Sequence, residues 1–201
     1  YSIDSKNINT LTGNPLLSVD DIALPGKHNL SNMLGAATSS SLMGISDKHI
    51  ANVMKTFIGV EHRLENVAII KDVTYINDSK ATNLDSVSVA IQSFNKPVVL
   101  ILGGRNKGAD FRLLLPHIKS SHVRDIISYG EAGGQISTAI GDAVRSVQVT
   151  DLNSAVKTAQ RLAAPGDVVL LSPGCASFDQ FANFEERGQY FKTKVMEMMS
   201  A

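Results

Sequence analysis

The run Val98-Val99-Leu100-Ile101-Leu102 places five apolar side chains in succession. A strand with one wet face alternates in polarity with period two, so a strand without that alternation is covered on both faces. The residues that follow Gly59 repeat the theme. Short apolar runs at 67–70, 73–76, 98–102, 123–129, 146–149 and 168–171 read as strands. Helical spacing lies between and after them, at 84–94, 111–118, 134–140, 152–163 and 183–199. Asp110 and Asp151 stand where N-caps are needed. Strands and helices alternating at this spacing predict an α/β fold, a doubly wound and mostly parallel sheet with helices on both faces.

The opening of the chain is different. Tyr1-Ser2-Ile3-Asp4 begins without Met and reads as the middle of something longer. Residues 1–25 mix short apolar patches with Asn, Thr, Asp and Gly, the composition of short strands and turns. Two helices are expected next, an Ala/Ser-rich one at 31–43 and another at 47–57 with Ser46 as its N-cap. These pieces do not amount to an independent core, so residues 1–58 are expected to be the severed end of a preceding domain, with residues 59–201 as the main domain.

Composition narrows the partners. Lys plus Arg and Asp plus Glu number 19 each, a formal net charge of +0. No whole-molecule basic field draws the chain to nucleic acid or to a membrane surface, although a local basic patch stays open. No apolar run approaches the ~20 residues of a membrane span, and no signal peptide is expected. A single cysteine, Cys175, excludes an internal disulfide and a Cys-rich zinc site, and fits a reducing cytoplasm.

Four segments carry chemistry. Asn77-Asp78-Ser79-Lys80-Ala81-Thr82-Asn83 lies where a strand gives way to a helix. In an open α/β sheet that is the carboxyl edge, where ligands bind and a helix start offers free N–H donors. A carboxylate, a lysine and a threonine there suit a ribose, a phosphate and a carboxylate; the alternative is a polar turn with an N-cap. Gly103-Gly104-Arg105-Asn106-Lys107-Gly108 follows the most apolar strand and joins close backbone approach to positive charge. It is neither a dinucleotide fingerprint nor a P-loop, and Gly-Lys-Ser/Thr occurs nowhere in the chain. A flexible loop with a solvated lysine is its alternative. The segment 171–181 brings small and hydroxyl residues that suit a carboxylate or phosphate to the last strand end; Ser177 and Asp179 could equally be ordinary capping residues, and Cys175 reads as a buried small hydrophobe. At 59–65, Arg63 could meet a phosphate in two-pronged fashion or pair with Glu65, and His62 reads as a packing residue. The five histidines show no metal-ligand spacing.

Taken in order, Gly26-Lys27-His28-Asn29 with Asn32, His62-Arg63-Leu64-Glu65, the segment 77–83, Gly103 to Lys107, the segment 171–181 and Asn183-Phe184-Glu185-Glu186-Arg187-Gly188 resemble the Mur ligase family. The Asn-Asp-Ser-Lys-Ala-Thr-Asn form resembles the branch that adds D-glutamate to UDP-N-acetylmuramoyl-L-alanine. The resemblance implies a Rossmann-like C-terminal amino-acid domain at 59–201, preceded at 1–58 by the end of a central ATP-binding domain. It implies ATP and Mg2+ as cofactors, with the metal ligands and P-loop outside this chain, so that the chain alone is expected to be inactive. A cytoplasmic monomer is the expectation. The implied reaction phosphorylates the substrate's alanyl carboxylate, and the amine of D-glutamate attacks the acyl phosphate. By the same resemblance Asn32 contacts adenine, Arg63 a nucleotide phosphate and Asp78 the ribose hydroxyls. Lys80, as the catalytic residue, and Thr82 face the reacting end or D-glutamate, while Lys107, Ser177 and Phe184 bind D-glutamate. Three alternatives stay open: a non-catalytic nucleotide- or anion-binding module, a related Mur or folylpolyglutamate-type ligase for another amino acid, and a protein-interaction domain.

Overall fold

The computed structural model describes residues 1–4, 6–24 and 27–199, and the chain divides into two compact units, Tyr1–Gly59 and Val60–Ala201. Gly26, the first residue of the earliest resemblance segment, lies outside the described residues.

In the second unit six strands form one sheet: β4 (Glu65–Ile70), β5 (Val73–Asn77), β6 (Val98–Gly103), β7 (Val123–Tyr129), β8 (Arg145–Gln148) and β9 (Val168–Gly174). Their order across the sheet is β4-β5-β9-β6-β7-β8. Only β4 runs antiparallel to its neighbour. It is joined to β5 by Lys71 and Asp72, both at positive φ (51° and 62°), the backbone of a two-residue hairpin turn whose twist matches the strands.

The uninterrupted apolar run on β6 explains the layering. Val98, Leu100 and Leu102 face one core with α3 (Leu84–Ile91), α4 (Leu115–Lys119) and α5 (Gly133–Ile140). Val99 and Ile101 face the other, with α6 (Leu152–Leu162) and α7 (Phe184–Glu197). All five β6 side chains are fully buried, each stabilising the fold by roughly 1.5–3 kcal/mol. Helices cover both faces, and β9 is inserted between β5 and β6. The chain leaving β9 passes to the α7 face, whereas the chains leaving β5 and β6 pass to the α3–α5 face. Such a switch opens a crevice at the carboxyl ends of the strands.

Caps fix the helix starts that border this crevice. Asn83 accepts from the Ser86 N–H, Asp151 from Ser154 and Asn183 from Glu186, each worth about 1 kcal/mol. The helix expected at 111–118 instead opens as a 3-10 turn, Phe111–Leu114, capped by Asp110, and becomes α4 only at Leu115. Pro116 suits that restart, because it lacks the N–H that a first helical turn leaves unused.

The first unit holds a three-stranded antiparallel sheet of β1 (Ser2–Ile3), β2 (Asn7–Asn9) and β3 (Pro15–Ser18), with helices α1 (Lys27–Leu42) and α2 (Asp47–Thr56). It has a small core of its own, built from Ile8, Leu17, Met33, Ala37, Ile50 and Met54, contrary to the expectation of none. The pairing of β2 with β3 sets Ile8 opposite Leu17 and supplies an apolar face that no single patch in the sequence reveals. Ser46 precedes α2 as expected but makes no side-chain cap bond; its hydroxyl lies 2.8 Å from His49 Nδ1 instead. Among the described residues no helix is long and apolar enough to cross a membrane.

Candidate functional site

Three loops meet at the carboxyl edge of the second unit. The first leaves β5. The Asp78 N–H continues the ladder by donating to the Leu171 carbonyl at 2.8 Å, and the Asn77 side-chain oxygen accepts from the Ser79 N–H at 3.1 Å. That turn buries Asp78 and Ser79 and leaves Lys80 exposed. The Asp78 oxygens accept from the Leu64 N–H (3.2 Å) and the Ser172 hydroxyl (2.8 Å). Burial dominates its electrostatics and pushes its pKa up to about 6, against the two hydrogen bonds and the charge of nearby Arg63. Arg63 itself is exposed.

His62 and Glu65 brace this loop from behind. The Asn77 amide nitrogen lies 2.9 Å from both His62 Nδ1 and a Glu65 oxygen. Glu65 does not pair with Arg63. It accepts from the His62 N–H and from Lys192. Burial opposes its charge, yet these partners outweigh that and hold its pKa below the usual value. His62 is buried, as a packing residue should be, with its ring edge-on to Phe184 at 6.1 Å between centroids.

The second loop leaves β6 and the third leaves β9. They pair with each other: the Arg105 N–H donates to the Ala176 carbonyl at 2.8 Å, and the Ala176 N–H returns a bond to Arg105 at 3.0 Å. This bridge brings the segment bearing Lys107 against the one bearing Ser177. Gly104 makes the approach possible, since it has φ +122° and a side chain there would run into the Ala176 carbonyl. Lys107 is exposed, Ser177 buried and Thr82 half-buried. Arg105 is turned outward to a two-pronged ion pair with Glu131. Cys175 is buried and its thiol is pushed up to about 12, chiefly by burial, which makes it a poor nucleophile.

Phe184, the first residue of α7, closes the rim. The Lys80 ammonium sits 5.5 Å from its ring centroid, within cation–π range. Of the residues singled out from sequence, Asp78, Lys80, Thr82, Lys107, Ser177 and Phe184 belong to these converging segments, and Arg63 flanks them. Asn32 belongs to the first unit, exposed on α1. Two participants carry no role in the sequence reading, Ser79 and Arg187. Arg187 is fully buried and donates to the Ser79 hydroxyl (3.0 Å), the Ser79 carbonyl (2.8 Å) and the Cys175 carbonyl (3.0 Å). A signal for it exists in the sequence: Arg187 heads the four-residue stripe it shares with the buried Phe191 and Val195, so a charged residue occupies an inward helix position.

The three segments carry two exposed ammonium groups, a buried hydroxyl and a helix start at the carboxyl edge of the sheet, groups that suit an anionic ligand. Among the described residues, no three His, Cys, Asp or Glu side chains gather into a metal site.

Comparison with known proteins points the same way. Residues 62–175 match the family described as "Mur ligase, glutamate ligase domain". UDP-N-acetylmuramoylalanine–D-glutamate ligase of Salinibacter ruber is 43% identical over 92% of this chain and 40% of its own length. The protein of that name from Lactobacillus delbrueckii subsp. bulgaricus is 46% identical over 91% of this chain and 40% of its own. The chain thus spans about 40% of the length of the curated relatives it matches. Among solved structures, UDP-N-acetylmuramate-alanine ligase from Thermotoga maritima shares the fold with TM-score 0.67 at 15% identity, over 88% of this chain and 39% of that one. Escherichia coli FolC, solved with DHPP and ADP, does so with TM-score 0.64 at 18% identity, over 100% of this chain and 46% of that one.

Proposed function

The chain belongs to the Mur ligase family, and from that premise we propose that it supplies the amino-acid-binding part of a ligase joining D-glutamate to UDP-N-acetylmuramoyl-L-alanine with ATP. The observation that carries this reading is the bridged pair of loops after β6 and β9, which brings Lys107 and Ser177 to one rim beside Phe184 and Lys80. In the same proposal residues 59–201 are the C-terminal amino-acid domain and residues 1–58 the end of the central ATP-binding domain. The enzyme acts as a cytoplasmic monomer.

A carboxylate resists attack by an amine until one oxygen becomes a leaving group, and ATP supplies that activation as an acyl phosphate. In this proposal the ligands of Mg2+ belong to the part of the enzyme outside this chain, where the metal would offset the charge of the transferring phosphate. What this chain contributes is binding and charge. The Lys107 ammonium pairs with a carboxylate of D-glutamate, while the Ser177 hydroxyl and the backbone of Phe184 hold the other end, with Thr82 beside them. The first amides of a helix lack intrahelical partners, which leaves Phe184 a donor for a carboxylate. Lys80 faces the reacting end, where negative charge gathers as the amine attacks, and offsets it electrostatically. Within the second unit, Asp78 accepts from ribose hydroxyls and Arg63 meets a nucleotide phosphate; on the first unit, Asn32 is the residue that contacts adenine.

The test uses the full-length polypeptide that contains this chain. Phosphate release should require both D-glutamate and UDP-N-acetylmuramoyl-L-alanine. A charge-assisted hydrogen bond is worth about 1.5–3 kcal/mol, so Lys107→Ala should raise the D-glutamate requirement more than about tenfold. Release that proceeds equally well with a neutral amino acid refutes the reading. An unchanged D-glutamate dependence in Lys107→Ala refutes the role of that residue.

A further inference from the structure

We propose that Arg187 is the positioning residue of the acid-binding rim, holding the loop after β9 and the start of α7 in register with the loop after β5; the assignment rests on the D-glutamate reading above. Arg187 is fully buried, and among the described residues no carboxylate lies within ion-pair distance of it. A buried guanidinium without a counter-charge is unfavourable. The stripe it heads continues with Phe191 and Val195, so an apolar side chain would pack there at less cost. The donors themselves must therefore be the reason for an arginine at this point.

Those donors have a defined geometry. Nε and Nη2 form a fork on Ser79, reaching its hydroxyl at 3.0 Å and its carbonyl at 2.8 Å, while Nη1 reaches the Cys175 carbonyl at 3.0 Å. Because Nε donates to the Ser79 oxygen, the hydroxyl proton is free for the Phe184 carbonyl, 2.7 Å away. One relay thus runs from Arg187 through Ser79 to Phe184, and a second arm runs to Cys175, two residues before Ser177. Three chain segments that carry the proposed D-glutamate contacts are tied through one planar group. A lysine, with a compact ammonium on a flexible stem, cannot reproduce that planar fork. Asp78 is anchored independently, by Ser172 and the Leu64 N–H, so the nucleotide side of the crevice does not depend on Arg187.

This independence makes a structural role and a positioning role separable. In the full-length polypeptide, Arg187→Lys should raise KM for D-glutamate by about tenfold or more, the equivalent of one charge-assisted hydrogen bond, while KM for ATP stays within about twofold. Ser79→Ala, which breaks the relay but leaves the arm to Cys175, should shift KM for D-glutamate in the same direction by less. The double variant should fall short of the product of the two effects. Equal rises in both KM values, or a lowered melting temperature with both KM values unchanged, overturn the assignment. If Arg187→Lys fails to fold, Ser79→Ala decides alone, and an unchanged KM for D-glutamate overturns it. A wild-type enzyme with no D-glutamate dependence overturns the functional reading and this assignment together. D-glutamate dependence without a KM shift in either variant overturns this assignment only.

Discussion

Replacing Asp78 by Asn should make the protein more stable at neutral pH, and the gain should fade in acid. Asp78 is 5% exposed, and burial pushes its pKa from 3.8 up to about 6. A carboxyl group whose folded pKa exceeds its unfolded one binds its proton more tightly in the folded state. Stability associated with it is then fully present below about pH 4 and is lost as pH rises through 6. A difference of about two pKa units corresponds to about 3 kcal/mol at pH 7, of which about 1.3 kcal/mol is recovered on acidifying to pH 5. Asparagine fits the same hydrogen bonds: its oxygen accepts from the Leu64 N–H, and its amide donates to the Ser172 hydroxyl, which then acts as acceptor. Urea unfolding of wild type and Asp78→Asn at pH 5, 6 and 7 measures the difference directly. The stability advantage of the variant should shrink by about 1 kcal/mol between pH 7 and pH 5. A difference that stays constant over this range, or a variant that is less stable at pH 7, refutes the inference that burial governs this carboxylate.

Other outcomes follow from the same geometry. Gly104→Ala should cost at least roughly 3 kcal/mol, combining strain at positive φ with overlap against the Ala176 carbonyl; chemical denaturation measures it. Gly188→Ala drives a methyl group into the buried ring of His62 and should destabilise by roughly 1–3 kcal/mol, with the His62 ring resonances displaced in NMR spectra. Cys175, buried with its thiol near 12, should resist iodoacetamide at pH 8 in the folded protein and react fully in urea, as followed by mass spectrometry. The fully buried Tyr129 hydroxyl makes no hydrogen bond of good geometry although it lies near the Arg187 guanidinium, so Tyr129→Phe should change stability by less than about 1 kcal/mol in thermal unfolding.

Much of this molecule is local in origin and was therefore readable along the chain. Val98 to Leu102 announces a strand covered on both faces, because no side of it tolerates water. Asp151 announces a helix start, because its carboxylate reaches an amide three residues on. The polar run after β5 announces a strand end for the same short-range reason. The insertion of β9 between β5 and β6 is different in kind. It depends on which backbone edges pair across about 70 residues of chain for β6 with β9 and about 94 for β5 with β9, and side-chain pattern is silent on that choice. The core of the first unit escaped for a related reason, since Ile8 and Leu17 become an apolar face only once their strands pair. Arg187 is the sharpest case. Its helix, and its inward place on that helix, are written in the spacing to Phe191 and Val195, but its partners at Ser79 and Cys175 lie 108 and 12 residues away. The sequence determined the elements, their caps and the chemical groups at the strand ends, all set by neighbours within a turn or two. Only the tertiary structure decided which strand ends adjoin and what a buried guanidinium holds, because long-range pairing and burial are properties of the whole fold.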